Sequence, residues 1–269
     1  MIDNLHRRDF LALAAALSAA GAFTMPVAAQ DKQAGHMMAI PPDAPRITIL
    51  VHPRMVMLDL IGPMTIFNVL GTHIDLVWKE KIPISTELGL SITPTKTFAE
   101  ADEAPDVLFI PGGLMGTIDC MNDPQVMDFL RGRGEKAKWV TAICTGTLTL
   151  AATRLLKGYD ATSNWVHADL LPLMGARHVH KRVVTDRNRM TGAGVTAGLD
   201  FGLSLAANLR GEEEARRVQL IVEYAPEPPF DGGTQEKEPK QAAALRARTP
   251  KMRRQIELAA QAAGKRLGI

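Results

Sequence analysis

The sequence has few aromatic residues and almost no excess of either charge. Phe, Trp and Tyr make up 5% of its 269 residues, too few to suggest a platform on which nucleic-acid bases stack. Lys and Arg total 31 against 29 Asp and Glu, so the formal net charge of +2 gives no electrostatic reason to expect a nucleic-acid partner. The hydrophobic share of 46% is enough to bury a full core, and the length fits one α/β domain.

A long apolar run is also lacking. The apolar stretch at residues 11–23 is shorter than the roughly 20 residues that a membrane span needs. Arg7 and Arg8 precede it and small residues up to Ala29 follow it, a pattern typical of a twin-arginine signal. We therefore predict that residues 1–29 are a signal peptide that is cleaved near Ala29. The twin-arginine export machinery would then deliver the protein to the periplasm, and the protein would have no stable membrane span. An uncleaved amphipathic anchor is the alternative.

Cysteine is scarce: the chain has two, Cys120 and Cys144. In an oxidising compartment they could form one disulfide. The twin-arginine route normally carries proteins that have already folded in the cytoplasm, which weakens that possibility. We therefore expect both thiols to be free.

Composition divides the rest of the chain into three parts. Residues 30–45 carry Gly, Pro and Met without periodicity and predict a flexible tether. Residues 46–224 form the predicted α/β domain. A Pro-rich segment and a basic helical tail occupy residues 225–269. We expect the tail to pack against the main body or a partner subunit, with a role in binding an anionic ligand or a membrane as the alternative.

Strand and helix patterns alternate through residues 46–224. Short apolar, β-branched runs are typical of buried strands, and apolar residues at helical spacing lie between them. This alternation predicts a doubly wound, mostly parallel sheet with helices on both faces, which is a flavodoxin-like α/β fold. We predict strands at 46–52, 73–78, 106–110 and 139–143, hairpins at 82–93 and 183–190, and helices at 59–70, 124–133, 145–156, 195–209, 212–224 and 241–267.

One predicted strand runs straight into a cysteine. The segment has the layout of a nucleophile elbow: an apolar strand is followed by Cys144 and then by the small residues Thr145 and Gly146 at the start of a helix. The carboxyl ends of strands form the ligand crevice in such sheets. The helix dipole and unpaired N–H groups at this place lower a thiol pKa from about 8.5 to as little as about 3.5–7.5. We therefore predict a thiolate nucleophile, with a buried structural cysteine as the alternative.

Two further features adjoin predicted strand ends. Gly112 and Gly113 follow a core strand, where their backbone N–H groups could approach an oxyanion or substrate, or could simply form a tight turn. Asp59 is an acid among apolar residues at a helix start. It could cap the helix or, if partly desolvated, act as a general acid/base.

Five motifs together resemble one known family. They read LDLIGP at 58–63, IPGG at 110–113, CTG at 144–146, GAGVTAGLD at 192–200 and RVQLIVEYAPEPPF at 217–230. The chain from Arg46 to about Lys265 thereby resembles the ThiJ/PfpI superfamily, with its class I glutamine amidotransferase-like fold, and most closely the isonitrile hydratase branch.

The resemblance implies both an activity and its residues. Cys144, Thr145 and Asp59 would be catalytic in the hydration of an isonitrile to an N-substituted formamide through a thioimidate on the cysteine. It implies a small-molecule substrate, no metal or organic cofactor, and a homodimer. Asn164 and Trp165 would contact the substrate. Asn164 stands where the related pattern has a histidine, and His167 is displaced from a second one, so substrate choice is expected to differ.

Other functions fit the residues less well. The residue after Cys144 is Thr145, which disfavours a Cys–His peptidase, and no His-x-Glu pair follows for a glutamine amidotransferase. His178 and His180 could share a metal, but no convincing further ligands lie nearby in the sequence. The main alternative is a periplasmic stress, redox or binding protein of the same superfamily with another thiol-dependent hydrolase or glyoxalase-type activity.

Overall fold

A computed structural model describes residues 40–269. Its strands are β1 Arg46–Leu50, β2 His73–Trp78, β3 Ile84–Ser85, β4 Ser91–Ile92, β5 Lys96–Thr97, β6 Val107–Ile110, β7 Trp139–Ile143, β8 Asp160–Ala161, β9 Arg177–His178, β10 Val183–Asp186 and β11 Arg189–Gly192. Its helices are α1 Met57–Val69, α2 Leu114–Met121, α3 Pro124–Gly134, α4 Gly146–Ala152, α5 Ala197–Arg210, α6 Glu212–Ile221, α7 Pro239–Arg248 and α8 Pro250–Leu267, with a 3₁₀ helix at Ala168–Met174.

The framework is a seven-stranded sheet in the order β10-β11-β7-β6-β1-β2-β5. Neighbouring strands run parallel except β10 and β11, which form an antiparallel hairpin at one edge. The predicted mostly parallel α/β fold is thereby confirmed. Strands β1, β6 and β7 lie side by side at the centre, so the loops that follow them meet at the same edge of the sheet.

Hydrophobic cores lie on both faces of this sheet. Along β6, Val107 and Phe109 enter one core while Leu108 and Ile110 enter the other, because successive side chains of a strand point to opposite faces. The first core packs against α1 and α5, and the second against α2, α3, α4 and α8. Helices therefore cover both faces, as the alternation predicts.

The helix after Cys144 is shorter than predicted. It ends at Ala152 instead of Leu156, and Arg154 takes a left-handed φ of 80°. The Thr153 hydroxyl donates to Leu150 O at 2.6 Å, a local bond that competes with continuation of the helix.

Two other helices differ from the predicted ones. The predicted tail helix is two helices, because Pro250 begins α8 and Thr249 before it adopts a non-helical backbone (φ −125°, ψ 47°). Helix α2 was not predicted, although Leu114, Ile118 and Met121 lie at helical spacing.

The last helix contributes to the body of the domain. Ile256, Ala259, Ala260 and Ala263 of α8 are buried in the core shared with α2, α3 and α4. Arg253 on the same helix donates to Asp169 at 2.9 and 2.6 Å. Helix α8 therefore packs against the main body, as expected of the tail, through its apolar side and through Arg253.

The predicted export signal at residues 1–29 lies outside the described residues, as does the predicted tether up to residue 39. Within the described end of the predicted tether, residues 41–43 are exposed, whereas Ala44 is buried and its N–H donates to Pro41 O at 3.0 Å. Within residues 40–269, every helix is too short or too polar to cross a membrane.

Replacing Phe109 by alanine should cost about 3–5 kcal/mol of unfolding free energy, because it removes the centre of an aromatic cluster. Phe109 is fully buried, its ring centroid 5.3 Å from that of Phe201 and 6.2 Å from that of Phe67. Urea denaturation measures the loss. The matched control is Phe230→Ala. The Phe230 side chain is 83% exposed, so this variant should change the free energy of unfolding by less than about 0.5 kcal/mol. Equal losses in the two variants would contradict this assignment of the core.

Candidate active site

The turn predicted at Cys144 is present and strained. Cys144 has a φ of 53°, a left-handed backbone that residues other than glycine seldom adopt. Its N–H donates to Ala193 O at 2.8 Å and lies 3.1 Å from Gly192 O, and its carbonyl accepts from the Ser163 hydroxyl at 2.6 Å. Such strain persists only where neighbouring groups fix the backbone on both sides, and it is concentrated at functional sites.

Glycines allow the three central loops to approach one another. A Cβ on Gly146 would lie 2.5 Å from the carbonyl oxygens of Ile110 and Pro111. A Cβ on Gly112 would lie 2.7 Å from Asp59 Oδ2 and 2.8 Å from Cys144 Cβ. The loops after β1, β6 and β7 therefore converge at a point where no side chain fits, and this brings Asp59 and Cys144 together.

Asp59 lies in the first turn of α1 and is fully buried. Its Oδ2 accepts a hydrogen bond from Gly112 N–H at 2.9 Å. Asp59 does not cap the helix. The N–H of Met57, the first residue of α1, instead donates to the Glu87 carboxylate at 2.8 and 3.0 Å. Asp59 Oδ1 is buried and has no hydrogen-bond partner of normal geometry within residues 40–269.

The pKa of Asp59 is raised to about 7, mainly by burial and in small part by the charge of Glu87, against the opposing effects of the Gly112 N–H and the Cys144 thiol. Protonated and ionised forms are therefore both populated near neutral pH. A carboxyl group in this state can both accept and donate a proton, as a general acid/base must.

The expected low pKa of Cys144 is wrong. Cys144 is buried, and burial, followed by the charge of Asp59, holds the pKa of the thiol well above its ordinary value. The Thr145 N–H and the Asn164 amide favour the thiolate, but by less. Helix α4 begins two residues later and has only seven residues, so its dipole does not outweigh desolvation. The resting group is a thiol that needs a proton acceptor, and Asp59 is adjacent.

Thr145 is buried at the same place, but its hydroxyl is directed to the loop after β6. Its Oγ1 accepts from Gly113 N–H at 2.9 Å and lies 2.9 Å from Thr117 Oγ1. Within residues 40–269 this hydroxyl forms no hydrogen bond with Asp59. The predicted substrate-facing N–H groups of Gly112 and Gly113 are thus occupied by Asp59 and Thr145, and they tie the loops to one another.

Two of the predicted substrate contacts, Asn164 and Trp165, lie at a cavity next to the Cys144 turn. The Asn164 amide favours the thiolate of Cys144, while its Oδ1 accepts from Val166 N–H at 3.1 Å. Asn164 and Trp165 both line a cavity of about 420 Å³. His167, in contrast, is buried and is not among the residues that line this cavity.

Three contributors were not predicted from the sequence. Ser163 fixes the Cys144 carbonyl, Thr117 supports Thr145, and Glu87 caps α1 next to Asp59. Ser163 and Thr117 lie close in sequence to motifs already singled out, so a search for small hydroxyl residues near them would have found both. Glu87 lies in a loop remote in sequence and has no local signal.

The remaining candidates give no second reactive centre. Both cysteines are free and buried, and burial raises the pKa of Cys120 to about 12. The ring centroids of His178 and His180 lie 6.5 Å apart. In the described part of the chain, no group of three or more His, Cys, Asp or Glu side chains is arranged to hold a metal ion.

A doubly wound α/β fold with a buried thiol on a strained turn after a central strand defines the class of protein. The chain belongs to the DJ-1/PfpI family, whose model matches residues 45–208.

Known proteins agree with this assignment. The isonitrile hydratase of Pseudomonas putida is 41% identical over 223 residues, which cover 82% of this chain and 97% of that protein. A crystal structure of a ThiJ/PfpI family protein from Pseudomonas syringae has a TM-score of 0.76 and 40% identity, covering 87% of this chain and 99% of that one. Drosophila melanogaster DJ-1beta has a TM-score of 0.63 at 22% identity over 68% of this chain and all of that chain, a likeness of fold alone.

Asp59→Asn should flatten the pH dependence of stability. Because the pKa of Asp59 is raised from its ordinary value to about 7, the folded protein keeps a proton between about pH 4 and pH 7 that the unfolded chain loses. Wild-type stability should therefore fall as pH rises through this window, by at most about 4 kcal/mol relative to the variant. Urea denaturation at a series of pH values measures the difference. Asp128→Asn, on the exposed side of α3, should track the wild type. Parallel curves for Asp59→Asn and wild type would refute the raised pKa.

Proposed function

We propose that this protein adds water to an isonitrile to give an N-substituted formamide. The observation that carries the proposal is the buried pair of Cys144 and Asp59, in which a nucleophile that holds its proton lies beside a carboxyl group with a pKa of about 7. Its similarity to a protein named isonitrile hydratase, over nearly the whole of that protein, supports the same chemistry.

The first half of the reaction forms a covalent intermediate. Ionised Asp59 accepts the proton of the Cys144 thiol, and the sulfur attacks the terminal carbon of the isonitrile. Asp59 then donates the proton to that carbon. One S–H bond is broken, one C–S and one C–H bond are formed, and the product is a thioimidate on Cys144 with Asp59 again ionised.

The second half releases the product. Asp59 accepts a proton from water as the water oxygen attacks the thioimidate carbon, and Asp59 then passes this proton to the nitrogen. The tetrahedral intermediate collapses with cleavage of the C–S bond, which leaves an N-substituted formamide. The hydroxyl proton of the intermediate passes through Asp59 to the sulfur, so the net change is the addition of one water molecule and no cofactor is required.

Other residues of the site position these groups. The Gly112 N–H bond orients Asp59, and the Thr145 hydroxyl, itself hydrogen-bonded to that of Thr117, accepts from the adjacent Gly113 N–H. The Asn164 amide favours the developing thiolate during proton transfer. Burial excludes bulk water, which strengthens each of these interactions.

Cys144→Ser should abolish turnover of cyclohexyl isocyanide, because it removes the nucleophile. Asp59→Asn should lower kcat about 10²–10⁴-fold, because it removes the group that carries the proton. Formation of N-cyclohexylformamide is the measured quantity. Cys120→Ala is the matched control and should keep its rate, since Cys120 packs in the core on the other face of the sheet. Wild-type rates in Cys144→Ser would exclude thiol catalysis.

A thiol-based redox sensor is the less favoured alternative. Sensor cysteines are accessible and have a low pKa, whereas Cys144 is buried and its pKa is raised. A glyoxalase-type or hydrolase activity would use the same thiol, so a panel of isonitriles, aldehydes and peptides separates these functions.

We further propose that the protein acts in the periplasm after twin-arginine export, on the strength of the pattern in residues 1–29. Mature protein recovered from a periplasmic fraction should begin at Gln30, which N-terminal sequencing detects. A chain that begins at Met1 in the membrane fraction would favour an anchor instead.

A further inference from the structure

The cavity of about 420 Å³ adjoins the reactive thiol. Ser163, Asn164 and Ala193 line its inner wall, and each of them also contacts Cys144: Ser163 through the Cys144 carbonyl, Asn164 through the thiol and Ala193 through the Cys144 N–H. Cys144 itself is not a lining residue, but these shared contacts place the cavity next to the turn that carries it, with Asn164 between the cavity and the thiol. The volume of the cavity suits a small organic ligand.

Cationic side chains outnumber acidic ones around the cavity. Lys181, Arg182 and Arg246 line it, with Asp169 as its one lining carboxylate within the described residues. That carboxylate is already neutralised by the two hydrogen bonds that it accepts from Arg253.

Two of the three cations lack a carboxylate partner. Arg182 pairs with Asp200 at 2.6 Å, whereas neither Lys181 nor Arg246 forms a salt bridge in the part of the chain that the structure describes. Arg246 is held instead by neutral groups: it donates to Gln235 Oε1 at 3.0 Å and to Trp165 O at 3.2 Å. A guanidinium fixed in this way is preorganised and keeps its positive charge available for an anion.

Neutral groups complete the cavity. The Arg246 guanidinium lies 5.0 Å from the centre of the Trp165 ring, so an apolar face adjoins the charge. His178 and His180 supply ring nitrogens, and burial together with the neighbouring His180 lowers the pKa of His178, so that this ring is a neutral hydrogen-bonding group at pH 7. The exposed carboxylate of Glu236 lies 3.4 Å from His180 and is not among the lining residues.

We propose that the substrate carries a carboxylate, which Arg246 and Lys181 bind in this cavity while the isonitrile carbon contacts the Cys144 sulfur. The inference rests on the proposed function for the reaction at the sulfur, and it adds the substrate class, an isonitrile of an organic acid. A planar carboxylate matches the fork of a guanidinium, and the Trp165 face accommodates the apolar chain between the two ends.

Binding of reaction products tests the cavity without turnover. N-formyl ω-amino acids of two to six carbons and their neutral primary amides are titrated into the full protein by calorimetry. For at least one of these chain lengths, the N-formyl amino acid should bind about tenfold more tightly than the primary amide of the same length. Arg246→Met and Lys181→Met should each remove most of that preference and leave amide binding unchanged. Arg248→Met, on the same helix but outside the cavity, should keep it. Equal binding of acid and amide, or no binding of either, would overturn the proposal.

Turnover then separates this inference from the proposed function. ω-Isocyanoalkanoates should be hydrated with a higher kcat/KM than their methyl esters, and Arg246→Met should raise KM for the acids about tenfold with kcat little changed. Hydration of acids and esters at equal kcat/KM would leave the proposed function standing and refute the carboxylate site. Selective binding of the acids with no hydration of any isonitrile would keep the carboxylate site and refute the proposed function.

Discussion

The account depends on one buried contact, that between the Asp59 carboxyl and the Cys144 thiol. It exists because three central loops meet at Gly112, where a Cβ would lie 2.7 Å from Asp59 Oδ2 and 2.8 Å from Cys144 Cβ. Burial raises the pKa of both groups, so each keeps a proton that it would lose more readily in water. The resting nucleophile is therefore a thiol and not a preformed thiolate. The ionised form of Asp59, which lies next to it, can accept its proton.

Local patterns predicted the framework well. The bounds of β2 and β7 agree with the sequence prediction at both ends, because short apolar, β-branched runs carry their own signal. The turn at Cys144 and the convergence of the strand ends follow from strand, glycine and helix order alone. The pKa of Cys144 could not be predicted in this way, because it depends on burial and on Asp59, which tertiary packing brings to it. Glu87 and the hydroxyl pair of Thr145 and Thr117 were missed for the same reason.

A segment beyond the region matched by the family model also reaches the site. The matched region ends at residue 208, whereas Arg246 lies on α7 and reaches the cavity from the Pro-rich and basic tail. Pro250 separates α7 from α8, which allows α8 to pack in the core while α7 places a cation beside Trp165. The common family fold thus supplies the thiol, its carboxyl partner and two of the three cations that line the cavity, and the C-terminal segment supplies the third.

The central claim is tested most directly by titrating Asp59 itself. In protein labelled with ¹³C at aspartate Cγ, the Asp59 resonance, assigned by its loss in Asp59→Asn, reports the protonation state of the carboxyl group. The account predicts a midpoint near pH 7 for Asp59. A midpoint near pH 4, the ordinary value for an aspartate, would show that the carboxyl is ionised well below neutral pH and would contradict the proton-exchanging pair on which the proposed chemistry depends.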